Sequence, residues 1–327
     1  MYVPRPLFIL SLSMSDPKNI AVIRTDRLGD MVLTLPMFSV LRERFPNARL
    51  TLIASPYVEP LVRHVSCIDE VVYLDQPHAD ISPILRSRSI DTLFAPRPRF
   101  AEAWQAFRAG VSRRVGSRYR WYSPLYNVRV SEHRSDAAFH EAEYNVRMIM
   151  HAFGGPMPNV RLVSPLPMVF DRPWRDRPRV VIHPGSGGSA KDWPAERFGQ
   201  AAWRIAEELD AEIIVTGIAA ERELCDRVLA ICPGAKDLCG GLNLAGMIDL
   251  LSGADLLLAN STGVLHIAAA LGVAVVGFYP CTPSMSSGRW GPYTDRAVVL
   301  ESGLGDDMLT ITVDDAVAAA EILLTPR

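Results

Sequence analysis

Short apolar runs alternate with longer, helix-patterned stretches along this chain from residue 19 onward. In the first half the apolar runs predict strands at residues 20–24, 50–54, 70–74 and 92–95. The alternation restarts with predicted strands at residues 179–183, 212–216, 255–259 and 273–278. Strands that alternate with helices are typical of βαβ units in a parallel sheet. We therefore predict an α/β protein with two doubly wound, Rossmann-like domains that face each other across a cleft.

Helical periodicity fills the intervals between the predicted strands. The predicted helices cover residues 30–45, 137–153, 195–209, 220–231, 244–251, 263–271 and 313–323. Residues 111–135 follow a less regular pattern.

Proline content marks the predicted boundary between the domains. Residues 156–178 are rich in proline, which resists both helix and sheet, so we predict an interdomain linker there. The N-terminal domain then covers residues 18–155 and the C-terminal domain residues 179–312. A final helix within residues 313–327 could cross back to the N-terminal domain. Residues 1–17 are expected to lie outside the fold, as a disordered segment or a misassigned start, with Met14 as the alternative first residue.

Charge adds to this picture because it differs between the two halves. The chain has 36 acidic and 34 basic side chains and a formal net charge of −2, which argues against a dedicated nucleic-acid binder. Residues 1–170 hold 21 basic and 15 acidic groups, whereas residues 171–327 hold 13 and 21. Residues 86–134 alone hold 11 arginines against three acids. That stretch is either a surface for an anionic partner or a solvated arginine-rich face, and the sequence favours neither.

The cysteines predict neither a metal site nor a disulfide framework. The chain has five Cys and no Cys-x-x-Cys pair, which is typical of free thiols in a reducing cytoplasm. No apolar run approaches the ~20 residues that span a bilayer. The apolar segment at residues 7–12 resembles a secretory signal only faintly.

The first candidate site follows the first predicted strand and reads Arg24-Thr25-Asp26-Arg27-Leu28-Gly29-Asp30. A loop at this place points into the crevice of a doubly wound sheet, so Asp26 and Asp30 are candidate general bases or ligand contacts. The alternative is that one of them caps the following helix. The absence of Gly-x-Gly-x-x-Gly here argues against a dinucleotide dehydrogenase.

The second candidate site, His183 to Pro194, also follows a strand directly. Its glycines and serines supply N–H and hydroxyl donors for phosphate, and Lys191 adds a positive charge. It differs from a Walker A loop because Ala190 and Asp192 stand where that motif requires Gly and Ser or Thr. The alternative is a flexible glycine loop without a ligand.

The third candidate site is Asn260-Ser261-Thr262-Gly263-Val264-Leu265-His266, at the start of an alanine-rich helix. Hydroxyls and unpaired N–H groups at a helix start form an anion site. Capping by Asn260 or Ser261 is the alternative, and it is compatible with anion binding. His266 by itself is more often a structural histidine.

These sites, in this order, resemble glycosyltransferase family 9, the bacterial heptosyltransferases that build the inner core of lipopolysaccharide. The resemblance runs from about residue 20 to about residue 295. Each motif is weak alone, but the ordered set is specific. The motifs are Arg24-x-Asp26-x-x-Gly29-Asp30 with Pro36, His183-Pro184-Gly185 with Lys191-x-Trp193-Pro194, Ala254-Asp255, Gly263-x-x-His266-x-Ala268-Ala269-Ala270, and Arg289-Trp290-Gly291-Pro292-Tyr293.

The resemblance implies a GT-B architecture and a role for individual residues. Asp30 matches the family's catalytic base, which deprotonates an acceptor hydroxyl as it attacks the anomeric carbon with inversion. Lys191 matches a diphosphate-binding lysine, and Glu221 matches an acid that contacts the nucleoside. The full donor-binding set is Ser186, Gly187, Lys191, Glu221, Ser261, Thr262, Gly263 and His266. The acceptor-binding set rests on the resemblance and on the arginine-rich charge of residues 86–134. It consists of Asp26, Arg113, Arg114, Arg118 and Arg120.

One position departs from the family pattern. Ser261 stands where many members have an Asp that is thought to contact the donor sugar or a metal. No cofactor is therefore expected to be required, and a dependence on Mg2+ is left open. The identity of the donor is open for the same reason.

The implied activity is transfer of heptose from ADP-L-glycero-D-manno-heptose to an anionic lipopolysaccharide core acceptor, either Kdo-lipid A or a heptosylated form. The protein is then expected in the cytoplasm, in peripheral contact with the inner membrane and without a nucleic-acid partner. The alternatives are a GT-B transferase for another nucleotide sugar in surface polysaccharide or glycoprotein assembly, a nucleotide-sugar 2-epimerase, and a non-catalytic sugar-nucleotide or lipopolysaccharide-binding protein. Retention of Asp30 and Lys191 argues against the last of these.

Overall fold

The computed structural model describes residues 16–76, 79–166, 176–188, 191–303 and 305–325. Most of the predicted N-terminal extension and the middle of the predicted linker lie outside the described residues. Two six-stranded parallel sheets form the framework, as the alternating pattern predicts. No helix within the described ranges has both the length and the apolar character needed to cross a membrane.

The first sheet has the strand order β3-β2-β1-β4-β5-β6. Its strands are β1 (Asn19–Arg24), β2 (Arg49–Ala54), β3 (Glu70–Tyr73), β4 (Thr92–Phe94), β5 (Arg113–Ser117) and β6 (Val128–Val130). The chain direction across the sheet reverses between β1 and β4, so a crevice forms at the carboxyl ends of these two strands.

The second sheet has the order β12-β11-β10-β7-β8-β9, which repeats the topology of the first. Its strands are β7 (Arg179–His183), β8 (Glu212–Val215), β9 (Lys236–Asp237), β10 (Leu256–Asn260), β11 (Ala274–Tyr279) and β12 (Ala297–Glu301). The corresponding crevice lies at the carboxyl ends of β7 and β10.

Twelve α-helices in the described residues connect or flank the strands. They are α1 (Leu28–Val32), α2 (Pro36–Arg44), α3 (Glu59–Val62), α4 (Ser82–Ser87), α5 (Phe100–Arg108), α6 (Glu141–Phe153), α7 (Ala195–Glu208), α8 (Arg222–Ile231), α9 (Leu244–Ser252), α10 (Gly263–Ala270), α11 (Ser287–Trp290) and α12 (Val313–Leu324). The single helix predicted at residues 30–45 is therefore two helices. Pro36 opens α2 because a residue without an N–H fits the first position of a helix and disfavours its interior.

The irregular pattern at residues 111–135 conceals two strands. β5 has the sequence Arg-Arg-Val-Gly-Ser, whose polar side chains hide the alternation that marks a strand. It forms because its backbone pairs with β4 on one side and with β6 on the other. β9 and β12 also lie at or near sheet edges and were not predicted from the apolar runs.

The apolar core is continuous between the two domains. One cluster of buried side chains includes Phe38 and Leu41 of the first domain together with Leu251 and Leu265 of the second. Separate clusters fill the outer faces of the two sheets, beneath α4 and α5 in the first domain and beneath α7, α8 and α12 in the second. The shared cluster fixes the relative orientation of the domains by burying apolar surface of both.

The two domains approach most closely where the first turns of α1 and α10 meet. A Cβ added to Gly263 would lie 2.9 Å from the Cβ of Leu28 and 3.0 Å from the backbone N of Gly29. A Cβ added to Gly29 would lie 2.9 Å from Cδ2 of His266. Both positions therefore require glycine, because any side chain would push the helices apart.

The last helix packs on the C-terminal domain, so the prediction that it could cross back to the N-terminal domain is wrong. Ala316, Val317, Ala319 and Ala320 of α12 are buried in the outer core of the second domain, against α7 and the strands β10 to β12. The small side chains on this face permit close packing on the sheet, which explains the placement.

We expect the substitution Gly263→Ala to lower the free energy of unfolding by about 1–3 kcal/mol, because the added methyl group overpacks the contact between α1 and α10. Urea denaturation followed by circular dichroism measures this difference. Gly234→Ala is the matched control, since a Cβ at Gly234 has no neighbour within 4 Å. Equal stability of the two variants would contradict the proposed tight contact.

Candidate active site

A buried arginine organises the loop that follows β1. Arg24, at the end of the strand, is almost fully buried and forms ion pairs with the carboxylates of both Asp26 and Asp30. The distance from Nε of Arg24 to Oδ1 of Asp26 is 2.6 Å. The residue before α1 is Arg27, and no side chain caps this helix. The alternative that one of the aspartates caps α1 is therefore wrong, and both carboxylates are positioned by Arg24 instead.

Asp30 lies at the junction of two cavities. A larger cavity of about 630 Å³ is walled mainly by the first domain, and a smaller one of about 220 Å³ lies against the start of α10 in the second domain. The side chain of Asp30 lines both. Burial raises the pKa of this carboxyl above its ordinary value of 3.8, and the nearby Arg24 partly opposes that shift. A raised pKa makes the carboxylate a stronger base.

Arginines and carboxylates line the larger cavity together. The arginines are Arg24, Arg97, Arg120, Arg134 and Arg289, and the acids are Asp26, Asp30, Glu132 and Glu141. An adjoining cavity of about 560 Å³ shares Arg97, Pro98 and Arg120 with it. Arg120 is exposed, and Arg97 is half exposed and lies 3.7 Å from Asp26, so these two guanidinium groups are accessible to an anionic ligand.

The smaller cavity brings together four of the predicted donor-binding residues. Ser261, Thr262, Gly263 and His266 all line it, opposite Gly29 and Asp30 of the first domain. No side chain caps α10, so neither Asn260 nor Ser261 has the capping role considered above.

The imidazole of His266 is neutral in this site. Burial lowers the pKa of His266 to about 3, and the neighbouring His140 contributes to the shift. Within the described part of the chain, its buried Nδ1 atom has no hydrogen-bond partner. A neutral imidazole has one donor and one acceptor nitrogen, so it can form a hydrogen bond with an uncharged polar group of a ligand.

The remaining predicted donor-binding residues lie in the loop after β7. Glu221 is buried, and its carboxylate accepts hydrogen bonds from the backbone N–H groups of Gly187 and Ile218, at 3.2 Å and 2.9 Å. A Cβ on Gly185 would lie 2.0 Å from this carboxylate, so the loop is folded tightly over Glu221. The observed role of Glu221 is thus to hold the loop.

Ser186 and Lys191 lie on either side of the tip of this loop. Ser186 is buried, and its hydroxyl donates a hydrogen bond to Asp192. Lys191 is half exposed, and its Nζ lies 3.6 Å from Oδ2 of Asp306. Lys191 lines neither of the two cavities that contain Asp30.

Asn260 joins the two loops of the second domain. Its side-chain amide donates to the carbonyl of Pro184 at 2.7 Å, and its carbonyl oxygen accepts from the backbone N–H of Trp193 at 2.9 Å. β7 and β10 are neighbours in the sheet, with Ala259 paired to His183. The loop with Lys191 and the turn with Ser261 are therefore held side by side.

A polar contact between the domains closes the larger cavity. Glu141, at the start of α6, forms ion pairs with Arg134 of its own domain and with Arg289 of the second domain. Beside it, the hydroxyl of Tyr293 donates to Glu143 at 2.7 Å, and Nε2 of His140 lies 2.9 Å from the carbonyl oxygen of Gly291. No pattern in the sequence indicates a site role for Glu141, Arg134 or Arg289. Of these three residues, only Arg289 belongs to one of the family motifs.

Two of the predicted acceptor-binding arginines have structural roles instead. Arg113 is buried in β5, with its guanidinium 4.2 Å from the ring centroid of Phe153. Arg114 donates to the carbonyl oxygens of Leu125 and Val111. Burial lowers the pKa of both groups. The prediction for these two arginines is wrong because the polar side chains of β5 hide the strand in the sequence.

The other three predicted acceptor-binding residues differ in their position relative to the cavities. Asp26 and Arg120 line the larger cavity. Arg118 is exposed but lines neither cavity with Asp30.

The turn after β10 offers a magnesium ion no carboxylate. Mg2+ prefers carboxylate oxygens in octahedral geometry. The turn after β10 contributes only the hydroxyls of Ser261 and Thr262, and the adjacent Asp30 is already paired with Arg24. Across the described residues no group of three or more His, Cys, Asp and Glu side chains could hold a metal ion.

Two Rossmann-like domains whose crevices face each other define the GT-B class of glycosyltransferases. The sequence model of glycosyltransferase family 9 (heptosyltransferase) matches residues 85–308. The chain belongs to this family and is a glycosyltransferase.

Individual relatives are similar over most of their length. A "putative glycosyltransferase" of Haemophilus influenzae is 26% identical over 307 residues, which cover 85% of this chain and 87% of the relative. Lipopolysaccharide heptosyltransferase 2 of Escherichia coli is 23% identical over 300 residues, covering 82% and 84%. The solved structure of E. coli ADP-heptose lps heptosyltransferase II superposes with a TM-score of 0.80 at 20% identity, over 93% of this chain and 98% of that one.

We expect Glu221→Ala to destabilise the protein by about 1–3 kcal/mol, because two partly buried hydrogen bonds to backbone N–H groups are lost. Urea denaturation measures this effect. Glu223→Ala is the control, since Glu223 is an exposed residue on the adjacent α8, and it should change stability by no more than about 0.5 kcal/mol. A Glu221→Ala variant as stable as this control would show that the carboxylate does not hold the loop.

Proposed function

We propose that this glycosyltransferase transfers heptose, with inversion, from ADP-L-glycero-D-manno-heptose to an anionic acceptor of the lipopolysaccharide inner core. The names of the relatives, which include lipopolysaccharide heptosyltransferases and an ADP-heptose enzyme, support the donor and the acceptor class. The observation that carries the proposal is the position of Asp30, which lines both the cavity of the first domain and the cavity at α10.

In this mechanism the acceptor occupies the larger cavity and the donor sugar the smaller one. Asp30 removes the proton from an acceptor hydroxyl while that oxygen attacks the anomeric carbon of the donor. The bond from the anomeric carbon to the diphosphate oxygen breaks, and the nucleoside diphosphate leaves with the bonding electrons. Attack on the face opposite the leaving group inverts the anomeric centre.

Arg24 acts as a positioning residue for the base. Its guanidinium binds Asp26 and Asp30 together and fixes the Asp30 carboxylate at the cavity junction. Burial raises the pKa of Asp30, so the proton-accepting strength of the base is greater than that of an exposed aspartate.

The donor diphosphate is proposed to bind between the turn at Ser261 and the loop with Lys191. The first N–H groups of α10 and the hydroxyl groups of Ser261 and Thr262 suit an anion. The ammonium of Lys191, now near Asp306, would stabilise the charge that develops on the departing diphosphate. With these donors available, we propose that transfer requires no Mg2+, and turnover should persist in excess EDTA.

Arg97 and Arg120 are proposed to receive the phosphates or carboxylates of the acceptor. Both line the larger cavity and the cavity adjoining it, so an extended anionic saccharide could contact both groups. Because such an acceptor is anchored in lipid, the enzyme is proposed to act from the cytoplasm in peripheral contact with the inner membrane.

A second candidate function is transfer from a different nucleotide sugar. It is favoured by Ser261, which replaces a carboxylate in the turn that faces the donor. This replacement changes the hydrogen bonds available to the sugar hydroxyls.

A panel of ADP-, GDP- and UDP-sugars in a thermal-shift assay, followed by a transfer assay, distinguishes these functions. We expect ADP-heptose to raise the melting temperature most and to be the only panel member consumed when a lipopolysaccharide core acceptor is added. Stabilisation by a UDP- or GDP-sugar alone would favour the second candidate. Donor consumption without an acceptor would instead indicate an epimerase or hydrolase.

We expect Asp30→Asn to reduce kcat by about 10²–10⁴-fold, because the amide cannot accept the proton. Donor affinity, measured by calorimetry, should be largely retained. Asp26→Asn is the matched control, since it removes the other carboxylate bound to Arg24 and should leave far more activity. Near-normal turnover of Asp30→Asn would exclude Asp30 as the base.

The pH dependence of kcat is a second test of Asp30. Asp30 must be ionised to act as a base, so kcat should fall as the pH drops through its pKa. Because burial raises that pKa, the acid limb should lie above the 3.8 of an ordinary aspartate.

A further inference from the structure

Helix α5 presents aromatic side chains to solvent. Phe100, Trp104 and Phe107 recur at the spacing of one helix face and are 45%, 42% and 49% exposed. The opposite side of the helix, with Ala103 and Ala106, is buried against the first sheet. An ordinary surface helix has one apolar and one polar face, whereas α5 is apolar on its outer face as well.

The loop between β5 and β6 extends this face. Trp121 is 79% exposed and stacks on Phe100, with 4.9 Å between the ring centroids. Trp104 and Phe107 form a second stacked pair at 5.9 Å. We call these four residues the aromatic face. They are four of the seven exposed aromatic side chains found in the described residues, and a fifth, Tyr119, lies two positions from Trp121.

The chain segment that carries the aromatic face is strongly basic. From residue 97 to residue 121 the chain holds seven arginines and a single acid, Glu102, which is buried. Arg108 and Arg118 are exposed, and the guanidinium of Arg114 lies 5.4 Å from the ring centroid of Phe107. The surface thus combines exposed aromatic rings with exposed arginines.

We propose that the aromatic face binds the surface of an anionic lipid bilayer, with its rings at the depth of the headgroups. Trp and other aromatic rings favour this interfacial region, and arginines beside them are attracted to anionic headgroups. This proposal rests on the proposed function, because it supplies the surface on which a lipid-anchored acceptor is met. Phe100 and Arg120, at the edge of the face, also line the cavity that adjoins the larger one. An acceptor could therefore pass from the bilayer towards Asp30 along the protein surface.

The charge pattern favours a bilayer over a second copy of the chain. A twofold symmetric contact through this face would place the same arginines opposite one another. Within residues 97–121 the one acid, Glu102, is buried, so no acid of this stretch would offset their repulsion. An anionic surface instead complements both the rings and the guanidinium groups.

The test is sedimentation of the full chain with acceptor-free vesicles. We expect binding to phosphatidylethanolamine vesicles with roughly 30% phosphatidylglycerol, little binding to pure phosphatidylcholine, and weakening by salt. The triple variant Trp104→Ser, Phe107→Ser, Trp121→Ser should bind at least tenfold more weakly. Trp203→Ser is the matched control, because Trp203 is 51% exposed on α7 of the other domain, and it should bind as wild type does.

A second readout locates the contact. Phospholipids brominated near the headgroup should quench tryptophan fluorescence in the wild type. The quenching should fall sharply in Trp104→Phe, Trp121→Phe and persist in Trp203→Phe. Thermal unfolding checks that the variants are folded.

Three outcomes would overturn the proposal. They are equal vesicle binding by the triple variant and the wild type, no binding by the wild type, and a wild-type dimer that the triple variant converts to a monomer. Activity on a deacylated, water-soluble acceptor separates this proposal from the proposed function. The triple variant should retain wild-type turnover on that acceptor, whereas failure of the wild type there would count against the proposed function and leave the vesicle result intact.

Discussion

The contact between the first turns of α1 and α10 is the constraint on which the site depends. Gly29 and Gly263 bring two backbones together so closely that a single methyl group would not fit, and the ring of His266 fills the remaining space. Each helix starts at the carboxyl end of a central strand, so this contact joins the crevices of the two sheets. Asp30, one residue after Gly29, is thereby placed against the turn that is proposed to hold the donor.

Electrostatics in this junction follow from burial. Arg24 neutralises two carboxylates that would otherwise repel each other, and it keeps Asp30 in a fixed orientation. Burial also raises the pKa of Asp30 and lowers that of His266 to about 3. The junction therefore holds a basic carboxylate beside an uncharged imidazole. This arrangement suits a reaction in which a hydroxyl proton is removed next to a neutral sugar ring.

Much of the fold could be predicted from the chain alone. Eight of the twelve strands in the described residues were predicted, because buried parallel strands are nearly continuous apolar runs. β5 was not predicted, because its arginines mask the apolar pattern of a strand. This one omission led to the wrong role for Arg113 and Arg114. The motifs at Asp30 and Ser261 were found because each lies directly after such a run. The hydrogen bond from Gly187 to the Glu221 carboxylate could not be predicted, because it joins residues 34 positions apart.

The sequence by itself determined the local units: which segments form strands, which loops follow them, and therefore that Asp30 and Ser261 lie at the ends of central strands. Those features depend on neighbours within a few residues, and periodicity records them. Tertiary structure alone decided which charges are paired. Arg289 and Glu141 are 148 residues apart, yet their contact closes the larger cavity. It also decided that the rings of Phe100 and Trp104 face solvent. Whether a side chain is exposed or covered is set by the packing of distant elements, and local sequence carries no record of that packing.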